Sequence, residues 1–390
     1  MSRSYDGIVL AAPVSFGYQR YSDQGVAWFA GNTLAEMLRV SGLDKSAVDG
    51  LAIASFSLAP DTPPSLAEYF GLELRLLEAL PFGGASGIIA ARRAARAIQA
   101  GDVDVVACIG ADTLSPEGFG GLVANFSTAS IDASYPYAAG GPNLPFALMT
   151  RAYMDRYGTS REDFGRLCVA QRYNANHCEN ALLGRKTLSL DDYLAARPVV
   201  EPLHLFDCVM PCAGADGFLV MSETRARDLN CPFVALRGAF ECFNAYPQDA
   251  IQLRAGWSRY ARELYEQAET TPSAIDVIET YDDYPVVVFM QFEGMQFCQT
   301  GEAARFVREH ALTFDGDGPA HNTSGGQLSV GQAGAAGGFL GIVEAIRQLT
   351  GGAGRNQVRG ANTALVTGFG MINYDRGICS SAAILGSASV

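Results

Sequence analysis

Residues 45–51 have the sequence Lys-Ser-Ala-Val-Asp-Gly-Leu, and residues 272–278 have the related sequence Pro-Ser-Ala-Ile-Asp-Val-Ile. The two stretches are 227 residues apart and share Ser, Ala and Asp at matching positions. Each copy is followed by a glycine-rich turn, then a helical segment, then an apolar strand that ends in glycine. The turns lie at 83–87 and 331–338, and the strands end at Gly110 and Gly368. Three elements in the same order in both halves indicate an internal duplication.

The rest of the chain alternates between strand-like and helical patterns. The strand-like runs are short and apolar, whereas the helical runs carry small and apolar residues on one face. The predicted strands are 8–14, 50–54, 103–109, 276–280 and 363–367, and the predicted helices include 88–100 and 340–349. This alternation predicts an α/β fold with buried strands.

The first half carries an insertion. Residues from about 113 to 225 have no counterpart in the second half, and they include helix candidates at 146–157 and 161–176. We therefore predict a first half over residues 1–228, which includes the insertion, and a second half over residues 229–390.

Composition excludes several classes of protein. The chain has 48% hydrophobic and 18% charged residues, which excludes intrinsic disorder. Its 28 Lys and Arg against 41 Asp and Glu give a formal charge of -13, so we expect neither nucleic acid nor an anionic membrane surface as a partner. No window approaches the roughly 18 apolar residues of a membrane-spanning helix.

The cysteines indicate a reducing compartment. There are nine of them, and no two are spaced as a Cys-x-x-Cys pair. An odd, scattered set argues against both a disulfide framework and a zinc site. We therefore expect a cytoplasmic protein with free thiols and no bound metal.

Several stretches spread over nearly the whole chain are typical of one family. They are 83–87, 105–115, 147–162, 191–194, 207–208, 216–217, 281–284, 322–326 and 364–368. In these stretches the chain resembles the thiolase superfamily, and within it the sterol-carrier-protein thiolases and the steroid side-chain aldolases. The resemblance implies a duplicated five-layer αβαβα fold in which the insertion of the first half forms a loop domain.

The chain departs from the thiolases at the nucleophile. Thiolases place a cysteine in a Cys-Ala-Ser-Gly turn at the N-terminus of a buried helix, where the helix dipole favours the thiolate. This chain has Gly84-Ala85-Ser86-Gly87 in that turn. Ser86 is then either a substitute nucleophile or a substrate-contacting turn residue, and it has no adjacent base.

Two further departures fall on the loops that face this turn. The histidine of the family's Gly-His-Pro loop is replaced by Gln332, whose amide either donates a hydrogen bond or has no chemical role. The His-Asp-Cys-Phe motif appears as Tyr281-Asp282-Asp283-Tyr284. A tyrosine in that first position, together with the missing cysteine, is what the steroid side-chain aldolases show.

The resemblance therefore implies retro-aldol cleavage of a β-hydroxyacyl-CoA without an acyl-enzyme. A steroid-type side chain is one candidate for the acyl group. Tyr281 is the candidate base, but its usual pKa of about 10 would have to be lowered. Asp282 or Asp283 is a candidate acceptor of a proton through Tyr281, although a nearby carboxylate also raises the pKa of the phenol. The alternative for Tyr281 is a packed aromatic residue. The backbone N–H groups of Gly84 and Ala85 are candidates for an oxyanion hole.

The loop that follows residue 320 supplies the remaining candidates. His321 is either a proton relay or a structural residue. Residues expected to contact substrate, or else to form turns, are Asn322, Ser324, Gly325 and Gly326. Candidate ligands for the phosphates of CoA are Arg172, Arg185, Lys186 and Arg254.

The resemblance also implies partners. We expect CoA only as part of the substrate, with no separate cofactor. We expect a homodimer that binds a separate small protein with an OB-fold and a zinc ribbon, which gives a heterotetramer. Two other functions remain open: a non-catalytic subunit that binds acyl-CoA or serves as a scaffold, and an acyltransferase that forms carbon–carbon bonds.

Overall fold

A mixed β-sheet organises the chain. The computed structural model describes residues 4–118, 141–373 and 376–388. Within these ranges the strands are β1 Ile8–Gln19, β2 Gly50–Ala54, β3 Leu76–Ala79, β4 Val105–Asp112, β5 Pro198–Val200, β6 Leu203–His204, β7 Ala213–Ser222, β8 Phe233–Phe243, β9 Val277–Glu279, β10 Ala320–His321, β11 Thr363–Asn373 and β12 Arg376–Ser387.

The helices of the described ranges lie between these strands. They are α1 Val26–Ser41, α2 Pro63–Phe70, α3 Ser86–Ala100, α4 Asn143–Tyr157, α5 Arg161–Ala175, α6 Leu190–Leu194, α7 Glu223–Asp228, α8 Gly256–Gln267, α9 Pro285–Gly294, α10 Ala303–Glu309, α11 Gly326–Val330 and α12 Gly337–Thr350. None of them is both long enough and apolar enough to span a bilayer.

The order of the strands confirms the duplication. Ten strands form one sheet in the order β10-β9-β11-β12-β8-β1-β7-β4-β2-β3. Strands β1 and β8 pair at its centre and divide it into two halves of five strands. The outer strands of each half are parallel, and the strands nearer the centre are antiparallel. The stretches at 45–51 and 272–278 lead into β2 and β9, which occupy equivalent positions in the two halves.

The helices complete the five layers that the resemblance implies. Helices α3 and α12 pack against each other and share one apolar core with strands of both halves. Helix α1 packs on β1, β4 and β7 in a second core, and α8 packs on β8 and β12 in a third. Strands and helices therefore alternate as α, β, α, β and α, and the central pair of helices is buried on both sides.

The sequence explains why α3 is central. Its small and apolar residues, from Ile88 to Ala95, are buried, and its arginines lie at the margin of the layer. The helix ends at Gly101, which has a left-handed backbone with φ of +79°. Each central helix begins directly after a short 3₁₀ turn, at Gly83–Ala85 for α3 and at Gly334–Ala336 for α12. The two central helices therefore begin in the same way.

The insertion lies between β4 and β7, where the second half passes directly from β11 to β12. It contains α4, α5, α6 and the β5–β6 hairpin, so the two helices predicted there are confirmed. A capping box formed by Ser160 and Asp163 fixes the start of α5, which packs on α6, α10 and α11. The predicted boundary between the halves falls between α7 and β8.

Candidate active site

A cavity of about 1350 Å³ opens beside the two 3₁₀ turns. Loops of both halves and the insertion form its walls. One part of the wall is apolar and includes Phe146, Val209, Met210, Tyr284, Phe369, Met371 and Ile372. Another part carries the basic residues Arg20, Arg172, Lys186 and Arg197. Such a cavity suits a ligand with a large apolar portion and an anionic portion.

Gly84 and Tyr281 meet at the position where thiolases carry their nucleophile. A Cβ built on Gly84 would overlap ring atoms Cε2 and Cζ of Tyr281 and the carbonyl oxygen of Phe369. Both Gly84 and Tyr281 line the cavity. The aromatic ring therefore occupies the space that a side chain at residue 84 would need. A nucleophilic side chain at this turn is excluded by packing as well as by sequence.

The phenol of Tyr281 is hydrogen-bonded to the facing loop. Nε2 of Gln332 donates to Tyr281 Oη at 3.2 Å and to Oε1 of Gln327 at 3.2 Å. Burial raises the pKa of Tyr281 well above its usual value, and the carboxyl groups of Asp283 and Asp282 raise it further. The lowered pKa that a tyrosinate base requires is therefore absent. Tyr281 lies at the site as predicted, but as a neutral phenol.

Backbone hydrogen bonds hold Gln332 in the cavity wall. Its N–H donates to the carbonyl of Met210, and its carbonyl accepts from the N–H of Cys212, both at 2.9 Å. These bonds join the second half to the insertion. They fix the backbone of Gln332, and the bonds to Tyr281 and Gln327 hold its side-chain amide.

The oxyanion-hole prediction is wrong for one of its two donors. The N–H of Ala85 donates to the carbonyl of Phe82 at 3.1 Å, and Ala85 does not line the cavity. Gly84 does line it. Ser86 is fully buried, and its Oγ donates to the carbonyl of Leu80 at 3.1 Å. The geometry favours the turn role for Ser86 over the nucleophile.

The two neighbouring carboxylates of the Tyr281 loop have different surroundings. Asp282 accepts from the N–H groups of Gln327 and Leu328 at 2.9 and 3.2 Å and from Nε2 of Gln171 at 2.7 Å. It holds the start of α11 against α5 and does not line the cavity. The pKa of Asp282 is raised to about 7, mainly because the carboxyl group is buried. Asp283 does line the cavity, and its Oδ1 has no hydrogen-bond partner.

The loop after β10 lies behind the cavity. His321 is fully buried, where its Nε2 lies 2.8 Å from Oγ1 of Thr280, and burial lowers its pKa to about 3. Asn322 accepts the N–H of Thr280 at 2.7 Å. Neither residue lines the cavity. The geometry therefore favours the structural alternative for His321, as a neutral residue, over the proton relay.

The next residues of this loop also have structural roles. Ser324 is buried away from the cavity. Gly325 and Gly326 have positive φ angles of +102° and +59°. A Cβ on Gly326 would overlap Oδ2 of Asp282, and one on Gly325 would approach Cβ of Ala175 at 2.5 Å. The geometry favours the turn role over substrate contact for these residues, because close packing against α5 and Asp282 requires the two glycines.

The comparisons with known proteins agree with this architecture. A family model described as "Thiolase C-terminal domain-like" matches residues 247–386. The chain is 31% identical over 362 residues to a "Steroid side-chain-cleaving aldolase" of Thermomonospora curvata, a match that covers 89% of each chain. It is also 30% identical over 394 residues to the "17-hydroxy-3-oxo-4-pregnene-20-carboxyl-CoA lyase" of Mycobacterium tuberculosis, covering 96% of this chain and 99% of that one.

The chain belongs to the thiolase superfamily. Within it, the chain lies on the branch of the sterol-carrier-protein thiolases and the steroid side-chain aldolases, which confirms the resemblance. A solved structure entitled "Ltp2-ChsH2(DUF35) aldolase" superposes with a TM-score of 0.82 at 28% identity, covering 98% of both chains.

Two of the four basic residues predicted for this thiolase-superfamily site line its cavity. Arg172 and Lys186 do so, whereas Arg254 pairs with Asp249 at 2.7 Å on the surface. Arg185 is not in the cavity wall. Two others were missed: Arg20, which donates to the carbonyl of Pro211, and Arg197. No local motif marks either residue, because the topology alone brings them to the cavity.

Sequence reasoning also missed the thiols of the cavity wall. Cys208 and Cys212 line it, although neither lies in a thiolase motif. Burial raises the pKa of both, for Cys208 to about 12. Neither is therefore a thiolate nucleophile at neutral pH. Among the described residues, no three His, Cys, Asp or Glu side chains converge as metal ligands do.

Proposed function

We propose that the chain is a carbon–carbon lyase that cleaves β-hydroxyacyl-CoA thioesters by a retro-aldol reaction. The observation that carries this proposal is the contact between Gly84 and Tyr281. It removes the position of an acyl-accepting thiol and puts a phenol into the cavity instead. The names of the two relatives, an aldolase and a CoA lyase, support the same reaction class.

The two kinds of cavity wall match the two portions of such a substrate. The phosphates of CoA would lie near the basic residues, of which Arg172 is buried and is oriented by Oγ of Ser329 at 3.0 Å. The acyl portion would lie against the aromatic wall, where Phe146 and Tyr284 stack with ring centroids 4.0 Å apart. A bulky apolar acyl group, such as a steroid side chain with its rings, fits a cavity of about 1350 Å³.

The reaction needs a path for one proton and a place for one negative charge. In our proposal the β-hydroxyl of the substrate lies against Tyr281 Oη, which takes its proton while handing its own to a neighbouring acceptor. A neutral phenol serves in such a relay without first ionising, which agrees with its raised pKa. The negative charge forms on the thioester oxygen, for which the N–H of Gly84 in the cavity wall is our candidate donor. The Gln332 amide already gives both of its N–H bonds to Tyr281 and Gln327, so in our proposal it orients the phenol.

We also propose that the active form contains a second protein. One relative of known structure is entitled as an aldolase with a DUF35 component. A small OB-fold and zinc-ribbon protein bound to a dimer of this chain would then give a heterotetramer. The CoA end of the cavity, which the insertion borders, is the place where such a protein would complete the site.

The test is a direct assay with a matched pair of variants. The chain is co-expressed with its small partner and incubated with β-hydroxyacyl-CoA thioesters, including steroid-type ones, while ketone release is followed. Tyr281→Phe should lower kcat by about 10²–10⁴-fold and leave KM nearly unchanged. This loss is the usual contribution of a group that transfers a proton in the transition state. Tyr173→Phe is the control, since Tyr173 bonds Asp315 on the surface.

Two results would reject the proposal. One is an acyl group trapped covalently on the enzyme during turnover. The other is a Tyr281→Phe variant that cleaves the thioester as fast as the Tyr173→Phe control.

A further inference from the structure

The amide of Gln327 links the phenol of Tyr281 to a buried carboxylate. Gln327 is only 1% exposed and does not line the cavity. Its N–H donates to Oδ1 of Asp282 at 2.9 Å, and its Nε2 donates to the same oxygen at 3.5 Å. At its other end, Oε1 accepts from Nε2 of Gln332 at 3.2 Å, and that nitrogen also donates to Tyr281 Oη at 3.2 Å. A continuous row of hydrogen bonds thus runs from Asp282 to the phenol.

The direction of these hydrogen bonds is fixed at the carboxylate. Oδ2 of Asp282 accepts from Nε2 of Gln171 and from the N–H of Leu328, while Oδ1 accepts from Gln327. A carboxylate that only accepts requires the NH₂ end of the Gln327 amide to face it, which turns Oε1 toward Gln332. The Gln332 amide must then present its own NH₂ end, because two facing oxygens would have no proton between them. The carboxylate therefore determines which end of the Gln332 amide meets the phenol.

Close packing surrounds the contact between the two amides. A Cβ built on Gly337, the first residue of α12, would lie 2.1 Å from Oε1 of Gln327 and 3.5 Å from Cγ of Gln332. A side chain at residue 337 would therefore displace the Gln327 oxygen. The two amides also belong to segments that are held independently, since Gln327 is bound to Asp282 and the backbone of Gln332 to the insertion. The position of the Gln327 oxygen is thus set by packing as well as by hydrogen bonds.

The orientation of the Gln332 amide decides what the phenol offers to a ligand. Because Gln332 donates, Oη of Tyr281 is the acceptor in this contact, and the proton of the phenol points elsewhere. Within the ranges that the structure describes, no residue accepts a hydrogen bond from this oxygen. The phenol lines the cavity, so its proton is left for the relay of the proposed reaction. With the amide reversed, Oε1 of Gln332 would accept that proton and withhold it.

We propose that Gln327 is a positioning residue, which fixes the Gln332 amide with its NH₂ end toward Tyr281. This inference rests on the proposed retro-aldol function and names a residue behind the cavity wall on which the phenol depends. Gln327 acts through Gln332 and not on the substrate, since it does not line the cavity. Burial is the largest influence on the pKa of Tyr281 and raises it, whereas the two amides act in the opposite direction.

The test uses the complex of the chain with its small partner and a steroid-type β-hydroxyacyl-CoA. Gln327→Met keeps the length of the side chain but removes the oxygen that holds Gln332. It should lower kcat by about 10–10²-fold with KM within about threefold, because a reacting group misplaced by about 1 Å costs up to about 10²-fold. Gln327→Glu should keep kcat within about fivefold of the wild type, since a neutral carboxyl group donates to Asp282 and still accepts from Gln332.

A double variant distinguishes positioning from a general effect on folding. If Gln327 acts through Gln332, the variant with both Gln327→Met and Gln332→Met should lose no more turnover than Gln332→Met alone. Gln348→Met is the matched control. Gln348 is also a buried glutamine, but its Nε2 donates to Thr323 and Glu344, and it does not line the cavity. This control should lower the midpoint of urea unfolding and leave kcat per folded molecule unchanged.

The outcomes separate this inference from the proposed function. A wild-type complex that cleaves no β-hydroxyacyl-CoA rejects both. If the wild type cleaves and Gln327→Met is as active as Gln348→Met, only the role of Gln327 is rejected. A change confined to KM also rejects that role, and so do single losses that multiply in the double variant. If Gln327→Met does not fold, Gln327→Glu decides, because a loss as large as that of Gln332→Met would show that the acceptor at residue 327 has no effect.

Discussion

The two 3₁₀ turns have the same backbone and different surroundings. Gly83 and Gly334 begin them with the same φ of +53°, and each turn leads into a central helix. The next position is Gly84 in the first turn and Ala335 in the second. Gly84 faces the cavity and the ring of Tyr281, whereas the N–H of Ala335 donates to Oδ2 of Asp112 at 2.7 Å. Both turns border the cavity, but at the second turn a side chain of the protein engages the N–H that follows the glycine.

The strands that face the turns explain the difference. Each turn lies against the strand of the opposite half: Gly368 of β11 approaches the first turn, and Gly110 of β4 approaches the second. Two residues further on, β4 carries Asp112, whereas β11 carries Gly370, which has no room for a side chain. Duplication thus supplies two equivalent helix starts, and one residue on the facing strand decides which of them stays available for chemistry.

The largest effect is expected when the first turn is made like the second. In Gly84→Ala the new methyl group overlaps the ring of Tyr281 and the carbonyl of Phe369, so the ring or the turn must move. We expect a loss of turnover of at least about 10²-fold, since misplacing a group by about 1 Å costs this much. We also expect a loss of stability of about 1–3 kcal/mol. Steady-state kcat and urea unfolding measure the two effects.

The reciprocal substitution is the control. Ala335→Gly makes the second turn like the first, keeps the N–H bond to Asp112, and should cost only about 1 kcal/mol with turnover preserved. If both variants lose turnover to a similar degree, the two turns do not differ in function as described.

The next effect is expected at the carboxylate that occupies the second turn, and it concerns stability and not turnover. Asp112 accepts from the N–H groups of Phe56, Ser57 and Ala335 and from the hydroxyls of Ser55 and Ser57. Asp112→Ala leaves these buried donors unpaired and should destabilise the chain by about 3 kcal/mol or more. Ser57→Ala removes one hydroxyl donor and should cost about 1 kcal/mol. Equal midpoints of chemical unfolding for the two variants would contradict this assignment.

The smallest effect concerns pH. Burial raises the pKa of Asp112 in spite of its hydrogen bonds, so the folded chain keeps this proton where the unfolded chain has lost it. Its contribution to stability is therefore complete below the unfolded pKa of about 4 and is lost as pH rises through the folded pKa. The pKa values of Asp216 and Asp282 are also raised, to about 6 and about 7, so these two residues likewise contribute less stability as pH rises. The pKa of Asp163 is lowered, so its contribution changes with pH in the opposite direction.

The measurement is the free energy of unfolding between about pH 4 and pH 7. We expect it to fall with rising pH through these groups, and to fall less steeply in Asp112→Asn, which has no such proton. Parallel curves for the wild type and this variant would show that Asp112 does not titrate differently in the two states.

The sequence was sufficient for the architecture, because duplication leaves a periodic record. The paired stretches at 45–51 and 272–278, with the turns and strands that follow them, predicted the duplication, and the family resemblance implied the five layers. The order of the strands was not predicted and comes from the structure. The insertion was recognisable because it has no counterpart in the second half. Such features depend on local pattern, and the structure confirms them.

The site was only partly predictable. Gly84, Tyr281 and Gln332 were found because each departs from a family motif, and the structure brings all three to the cavity. Whether a hydrogen-bonding group is free or engaged depends on contacts with distant segments of the chain. The spacing of residues along the sequence does not reveal these contacts. For that reason the engaged N–H of Ala85 was not foreseen, and the sequence did not decide between the two roles named for His321.

The crossing of each turn onto the strand of the other half has a consequence for assembly. Neither half is a self-sufficient folding unit, since the start of its central helix is finished only by residues more than two hundred positions away in the chain. The cavity wall at the first turn is therefore complete only when both halves are folded and docked.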